Sequence, residues 1–227
     1  MMELIHITAT YSNAVLVAIL PQISDFAKKL DLPIPQPLTA EQVVRSGIPP
    51  YKGEIGGGFW LSNGFWFAYS DGRVDSFRSP DNMFGREDLL ENWQRFVGKE
   101  NMTTNQAIEL ARQTLQKLGY NIEDLSMDAP PTSVQLPFDY QGQHIPQFQM
   151  TWDTGETNSA GQDMSTLVKV AINLDKKTVT SLTVMGRKLR RAPPKVDVEP
   201  ELEKDYKKRP IGTMFIRSNA PPSILEK

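Results

Sequence analysis

Residues that could carry out chemistry are few in this chain and widely spaced. Its 227 residues include no cysteine and two histidines, His6 and His144. The missing cysteines exclude disulfides, thiolate nucleophiles and cysteine-based metal sites. A catalytic zinc ion usually takes three protein ligands, mostly histidine. Since no G-x-S-x-G nucleophile elbow occurs either, the sequence predicts no catalytic residue and no metal site.

Two groups of carboxylates are the remaining candidates for a reactive or cation-binding site. Asp71 and Asp75 straddle a turn, and turn chemistry alone explains an aspartate at the first position. Asp153, Glu156 and Asp163 share a polar stretch with oxygen ligands of the kind calcium prefers. The stretch lacks the D-x-[DN]-x-[DN]-G spacing of a calcium loop. We therefore expect a solvated loop there.

The glycine-rich stretch "EIGGG", Glu54 to Gly58, does not match a phosphate-binding loop. A G-x-G-x-x-G reading from Gly56 would require glycine where Leu61 stands, and a strand rather than a helix follows. Glycines here let bulky neighbours approach the backbone. The sequence thus predicts no cofactor, and we expect the protein not to be an enzyme.

The most unusual stretch runs from Gly56 to Phe77 and holds seven aromatic side chains in 22 residues. Asn63-Gly64 and Asp71-Gly72 are strong signals for two-residue hairpin turns. They predict three antiparallel strands near 58–62, 65–70 and 73–78.

Two-residue loops set the register of this predicted meander. Trp60 then faces Phe67, and Tyr69 faces Val74. Because side chains alternate between the faces of a strand, both faces of the predicted sheet are apolar. A sheet with one side in water has one apolar face only.

The aromatic side chains admit two interpretations. In the first, Trp60, Trp66 and Tyr69 form a surface on which a sugar or an extended peptide stacks. In the second, helices bury the sheet. Each buried aromatic side chain contributes about 1.5–3 kcal/mol, so exposing five would forfeit an amount comparable with the stability of a whole domain. We therefore expect a core.

Hydrophobic periodicity predicts the helices that would cover the sheet. One helix over 14–31 begins at Ser12 or Asn13 and is kinked at Pro21. Three more are predicted: a short helix opened by a Thr39/Gln42 capping box and ended by Gly47, a helix over 87–97, and a helix opened by a Thr103/Gln106 capping box and ended by Gly119.

The C-terminal half is strand-rich. Runs near 133–137, "PQFQMTW", "TLVKVAINL" and "TVTSLTVMG" predict antiparallel strands, the last two joined by a tight hairpin at "DKK". The predicted fold class is α+β, with helices packed on antiparallel sheets and an extended C-terminal tail. Because helix-then-meander order occurs in both halves, two similar lobes remain an open alternative.

Charge is distributed unevenly along the chain. The net charge is −2, which gives no field that would attract nucleic acid. Residues 186–209 hold nine Lys/Arg and five Asp/Glu, a local +4 that leaves −6 for the rest. Arg187, Arg190 and Arg191 are candidate ligands for an anion, since arginine suits bidentate anion contacts. The apolar stretch 14–20 is too short to span a membrane.

The middle of the chain resembles the PepSY and PepSY-like family. The resemblance lies in the order "TTNQAIELARQTLQKLGY", "PQFQMTWDTG", "LVKVAINLDKKTVTSLTV" and covers residues 102–186. The helix carries the A-x-x-x-A pattern at Ala107 and Ala111. The family's D-x-x-T-G turn matches Asp175 to Thr178, but Val179 replaces the glycine. The resemblance implies an extracytoplasmic binding or regulatory module of the kind that restrains peptidases.

These observations predict three parts: residues 1–100, with a helix and the aromatic meander; 101–186, the PepSY-like unit; and 187–227, an extended, partly disordered tail. The predicted function is non-enzymatic binding or regulation of a protein or peptide partner. The alternative is a small-ligand or carbohydrate-binding protein that uses Trp60, Trp66 and Tyr69. No nucleic-acid partner and no transmembrane segment are expected.

Overall fold

The structure is a computed structural model that describes residues 2–48, 57–70, 72–84, 92–157, 159, 164–186, 189 and 215–218; of 2–14, 47–48 and 215–218 it describes the backbone alone. The secondary-structure elements, in chain order, are α1 (Met2–Lys29), a 3₁₀ turn (Ala40–Gln42), β1 (Val43–Ile48), β2 (Gly57–Leu61), β3 (Trp66–Ser70), β4 (Arg73–Arg78), a 3₁₀ turn (Trp93–Phe96), α2 (Thr104–Lys117), β5 (Ser133–Gln135), β6 (Phe138–Tyr140), β7 (Gln143–Ile145), β8 (Gln147–Asp153), β9 (Thr166–Asn173), β10 (Thr178–Gly186) and β11 (Phe215–Ser218).

The chain forms two compact units. The first comprises Met1–Asp75 and Arg190–Lys227, and the second comprises Ser76–Leu189. The division falls within β4, earlier than the residue 100 boundary that the sequence suggests. The helices and the large antiparallel sheet confirm the predicted α+β class, while the domain assignment stays a prediction.

In the first unit, the strand order is β11-β1-β2-β3-β4, and α1 contacts β3 of this sheet. The buried stripe of α1 includes Ile19, Ile23 and Phe26. The Phe26 ring meets the Phe67 ring edge-on, with centroids 6.0 Å apart. The helix-on-sheet core that the sequence predicts is therefore present in this unit.

The predicted register of the first hairpin is wrong by one residue. Phe59 lies opposite Phe67, and Trp60 lies opposite Trp66. The loop is Ser62-Asn63-Gly64, three residues long, with Gly64 at φ +85°. A residue in the left-handed region after a turn is the usual ending of a three-residue hairpin loop. Since side chains alternate, this slip moves every side chain of one strand to the other face.

The corrected register divides the aromatic residues between the two faces of the hairpin. One face carries the fully buried side chains and lies against α1. The other carries Trp60 and Trp66, both half-buried. The side chains buried on the first face are Phe59, Leu61, Phe65, Phe67 and Tyr69.

In the second unit the strand order is β4-β10-β9-β8-β5, with antiparallel pairing between neighbours. Buried and more exposed residues alternate over 148–153 in β8, 166–170 in β9 and 179–185 in β10, whereas the last four residues of β9 are all buried. The buried stripe of α2 (Ala107, Ala111 and Leu115) lies against the apolar face, since α2 contacts β10.

Both ends of α2 form as predicted. Thr103 and Gln106 make the reciprocal capping box. Gly119 has φ +86°, and the amide of Tyr120 donates to the carbonyl of Leu115 at 3.0 Å. This is the hydrogen bond of a Schellman motif.

Other elements depart from the prediction. Helix α1 starts at Met2, so Ser12 and Asn13 lie within it and do not cap it. The Thr39/Gln42 capping box opens a single 3₁₀ turn, after which the β-branched pair Val43-Val44 starts β1 instead of continuing a helix. The sequence also missed the β6–β7 hairpin and β11. Of the predicted helix 87–97, residues 87–91 lie outside the described residues, and the described remainder contains the 3₁₀ turn Trp93–Phe96.

Candidate functional site

Tyr69 does not belong to an open surface. Its side chain is 1% exposed, and its hydroxyl accepts a hydrogen bond from Gln22 Nε2 of α1 at 3.1 Å. Burial raises the pKa of the Tyr69 hydroxyl, while the bond from Gln22 acts in the opposite direction. Tyr69 is therefore a core residue and cannot stack on a ligand, which corrects its predicted role as a binding residue.

Trp60 and Trp66 lie together on the other face of the hairpin. Their ring centroids are 6.1 Å apart, with planes tilted by 53°. Arg45 of β1 lies opposite Trp60, and its guanidinium sits 4.9 Å from the centroid of the Trp60 ring. These three residues form a row across β1, β2 and β3, which we call the indole row.

Gly58 lets the two indoles fold over β2. A Cβ atom on Gly58 would lie 2.9 Å from Trp66 Nε1 and 3.2 Å from the outer ring of Trp60. Real Cβ contacts are almost never shorter than 3.0 Å, so the first of these contacts would force a shift. The indole row is thus a packed arrangement in which both tryptophans contact their own sheet.

A second candidate surface lies at the edge strand β5. Val134 stands opposite Met150, Met150 opposite Val170, Val170 opposite Leu182, and Leu182 opposite Phe77. Directly opposed residues share a face of the sheet, so these five residues form one apolar row. Four of them are at most 1% exposed, whereas Val134 is 49% exposed. The apolar face of this sheet therefore extends into solvent at its edge.

The residues next to Val134 define how long this edge is. Leu136 follows two positions later and is 59% exposed, and Pro137 favours an extended backbone at Leu136. At the other end, the amide and the hydroxyl of Thr132 donate to the carbonyl of Thr151 at 2.8 and 3.0 Å. We call the segment Thr132–Leu136 the β5 edge. In the described part of the sheet, its strand has a neighbour on one side only.

His144 is the one histidine whose side chain the structure describes. Its Nδ1 lies 2.8 Å from an Asp139 carboxylate oxygen, and its Nε2 lies 2.9 Å from a Glu100 carboxylate oxygen. The hydrogen bond to Asp139 raises the pKa of His144; partial burial opposes this, and Glu100 adds to the rise. Because carboxylates occupy both ring nitrogens, neither is left to activate a hydroxyl nucleophile.

The predicted acidic groups have structural roles where the structure describes them. Asp153 Oδ1 accepts the Gly155 amide at 3.0 Å, and Asp75 accepts a hydrogen bond from Ser70 Oγ. Asp71 and Asp163 lie outside the described residues, and so do the candidate anion ligands Arg187, Arg190 and Arg191. Across the described side chains, no three acidic or histidine residues are placed to share a metal ion.

The described helices include none with enough length and apolar character to cross a bilayer. Comparison with protein-family models, curated proteins and solved structures finds no match for this chain.

Sequence reasoning found Trp60 and Trp66 but missed Arg45, Val134 and Leu136. The strand near 133–137 was predicted, yet nothing local marks a strand as an edge. The "PPTSVQLP" run did carry a signal: prolines on both sides of a strand are typical of edge strands.

Proposed function

We propose that this protein is a non-enzymatic binding module that engages a protein or peptide partner at the β5 edge. The observation that supports the proposal is the apolar row ending at Val134, which is fully buried on four strands and half exposed on the fifth. An added strand would complete this row.

The backbone supports the same interpretation. An edge strand presents unpaired N–H and C=O groups on its outer side. An extended peptide can pair with such groups, while pockets for alternate side chains supply specificity. The β5 edge combines both features, because its open backbone edge lies beside the exposed apolar residues Val134 and Leu136.

The PepSY-like resemblance of residues 102–186 agrees with a binding or regulatory role. The order of α2, β8, β9 and β10 is the order on which that resemblance depends. Membership of the family and an extracytoplasmic location are part of this proposal. Restraint of a peptidase is the corresponding biological role.

Photo-crosslinking from the edge tests the proposal. A benzophenone amino acid replaces Gln135, and the full chain is irradiated in extracts of the source organism, one cytosolic and one exported. We expect a discrete crosslinked partner, identified by mass spectrometry, whose yield falls strongly in the double variant Val134→Lys, Leu136→Lys.

The matched control is Met185→Lys, which places the same charge on another exposed apolar residue, at the end of β10. Crosslinking should survive this change. Equal loss in both variants, or no crosslink above the signal of the unlabelled chain, would count against the β5 edge as a binding site.

A small-ligand or carbohydrate-binding function that uses the indole row is the second candidate. The half-buried Trp60 and Trp66 favour it, as does the exposed Arg45 above Trp60. The edge is preferred because Tyr69 is unavailable and the guanidinium already occupies one face of the Trp60 ring. A sugar screen read by the wavelength of tryptophan emission distinguishes the two, since only the second candidate predicts a shift.

A further inference from the structure

Resting on the proposed function, we infer the class of segment that the β5 edge recognises. It is an extended stretch of another protein, about five residues long. Two apolar side chains stand at alternate positions, polar side chains lie between them, and a basic residue follows at the C-terminal end.

Two prolines set the length of the segment that can pair with an added strand. Pro131 and Pro137 bracket the β5 edge, and proline has no N–H to donate to a strand ladder. Pairing is therefore confined to the five residues from Thr132 to Leu136. The short window makes recognition depend on side chains as well as on the backbone.

The alternation follows from the two faces of the sheet. Val134 continues the apolar row through Met150. Ser133 lies opposite Thr151, which lies opposite Lys169, and these side chains belong to the polar face. A residue added opposite Val134 shares its face and its apolar surroundings, while residues opposite Ser133 and Gln135 face solvent.

The charge requirement comes from the N-terminal end of the β5 edge. Trp152 Nε1 donates to the Ala129 carbonyl at 3.1 Å and Ser133 lies opposite Thr151, so the backbone of Asp128 and that of Asp153 both lie at this end of β5. Both are exposed, and neither has an ion-pair partner within the described residues. Arg112 donates to the carbonyls of Met127 and Asp128 at 2.8 and 3.3 Å, so the three charges sum to −1.

Strand direction places the basic residue. Antiparallel pairs outnumber parallel pairs about two- to three-fold. An antiparallel segment brings its C-terminal end to the acidic end of β5. A lysine or arginine after the second apolar residue would then lie near Asp128 and Asp153.

The same charges disfavour a second copy of this chain as the occupant. Antiparallel pairing of two β5 edges would bring the Gln135–Leu136 end of one chain, which carries no basic residue, to the acidic end of the other. A partner with a basic end fits the charges better.

Three synthetic peptides test the inference with the full chain. The first has apolar, polar, apolar, polar and lysine residues in that order. The second has the same composition with its two apolar residues adjacent, and the third replaces lysine by glutamate. Binding is measured by fluorescence anisotropy at low and high salt.

We expect the first peptide to bind at least about tenfold more tightly than the second, because adjacent apolar residues face opposite sides of a strand. It should bind about threefold more tightly than the third at low salt, and salt should reduce this difference. Val134→Lys with Leu136→Lys should remove binding, whereas Met185→Lys should retain it. Circular dichroism checks that each variant is folded.

Each opposite result has a distinct meaning. Equal binding of the first two peptides, tighter binding of the glutamate peptide, or no binding at all would overturn the inferred ligand class. A dimer that the double variant dissociates would identify a second copy as the occupant and would also overturn it. If crosslinking from residue 135 persists while the peptides fail to bind, the proposed function stands and the inferred ligand class is wrong. If neither crosslinking nor peptide binding is observed, the proposed function and the ligand class are both wrong.

Discussion

At the scale of single residues, the β2–β3 hairpin shows how one loop residue decides which side chains a ligand could reach. With Ser62-Asn63-Gly64 as the loop, Trp60 and Trp66 share the face opposite α1, and Tyr69 turns toward α1. A two-residue loop would have put Trp60 and Tyr69 on one face.

Replacing Tyr69 by phenylalanine removes the hydroxyl that accepts a hydrogen bond from Gln22. We expect a loss of about 0.5–1.5 kcal/mol in the free energy of unfolding, measured by urea denaturation. Tyr140→Phe is the control, because the Tyr140 ring packs on Trp93 at 5.2 Å and keeps this contact without its hydroxyl. Equal losses in both variants would contradict a specific role for the Gln22 bond.

Adding a methyl group at Gly58 tests the packing of the indole row. Gly58→Ala puts Cβ 2.9 Å from Trp66 Nε1, so an indole must move. Overpacking of this kind typically costs about 1–3 kcal/mol, and tryptophan emission should shift with it. Ala68→Ser, on the partner strand opposite Gly58, is the control. An unchanged emission spectrum and unchanged stability in Gly58→Ala would refute the close contact.

At the scale of elements, the β6–β7 hairpin is one of the parts that the sequence did not predict. Three contacts hold it to the segment before α2: the Gly98 amide donates to the His144 carbonyl at 3.1 Å, the Trp93 and Tyr140 rings meet at 5.2 Å, and His144 reaches Glu100. One of these contacts depends on protonation, since only a protonated imidazole can donate to two carboxylates.

Stability should therefore depend on pH at His144. Its pKa is raised in the folded protein, so the stabilisation is fully present below the unfolded value of about 6.5 and is lost as pH rises through the raised folded value. We expect wild type to exceed His144→Gln in the free energy of unfolding at about pH 5.5, and the difference to vanish well above the folded pKa. The difference should stay below about 1 kcal/mol, because the groups are partly exposed and screened by solvent.

The control for this measurement is Glu109→Gln on α2, whose carboxylate accepts a bond from Gln113 and meets no histidine. Its difference from wild type should not change between neutral and alkaline pH. A His144→Gln difference that grows with rising pH would show that the sign of the pKa shift is wrong.

At the scale of the whole molecule, the four tryptophans report on burial. Trp93 and Trp152 are 6% and 2% exposed, whereas Trp60 and Trp66 are half-buried. The tryptophans therefore fall into two accessibility classes, one in each unit.

We expect two components when acrylamide quenches tryptophan emission. The resistant, blue component belongs to Trp93 and Trp152, and the accessible one to the indole row. The double variant Trp60→Phe, Trp66→Phe should lose the accessible component and keep the other. Uniform quenching of all four tryptophans in wild type would contradict the described burial.

Local signals predicted the elements whose causes are local. The capping box and terminal glycine of α2, the long strands β8 to β10 and the α+β class all follow from patterns within about twenty residues. The short strands β6 and β7 could not be predicted in this way, because three residues carry too little periodicity. The strand pairing of Phe215–Ser218 with β1 joins residues far apart in sequence, which no local pattern encodes.

The same distinction between local and tertiary causes applies to the candidate sites. Trp60 and Trp66 were visible in the sequence as large aromatic side chains beside a turn. Val134 and Leu136 were not, because their exposure depends on β5 lying at the end of a strand order. That order is a property of the folded sheet.

The amino-acid sequence by itself determined which reactive and aromatic side chains are present: no thiol, two histidines and a dense group of aromatic side chains that favours a core. Only the tertiary structure decided which side chains are buried: Tyr69 lies in the core, and Val134 is exposed at the edge of the sheet. The physical reason is that burial depends on which strand lies beside another and in what register. One residue more or less in a loop, or a position at the edge of a sheet, changes a side chain from buried to exposed.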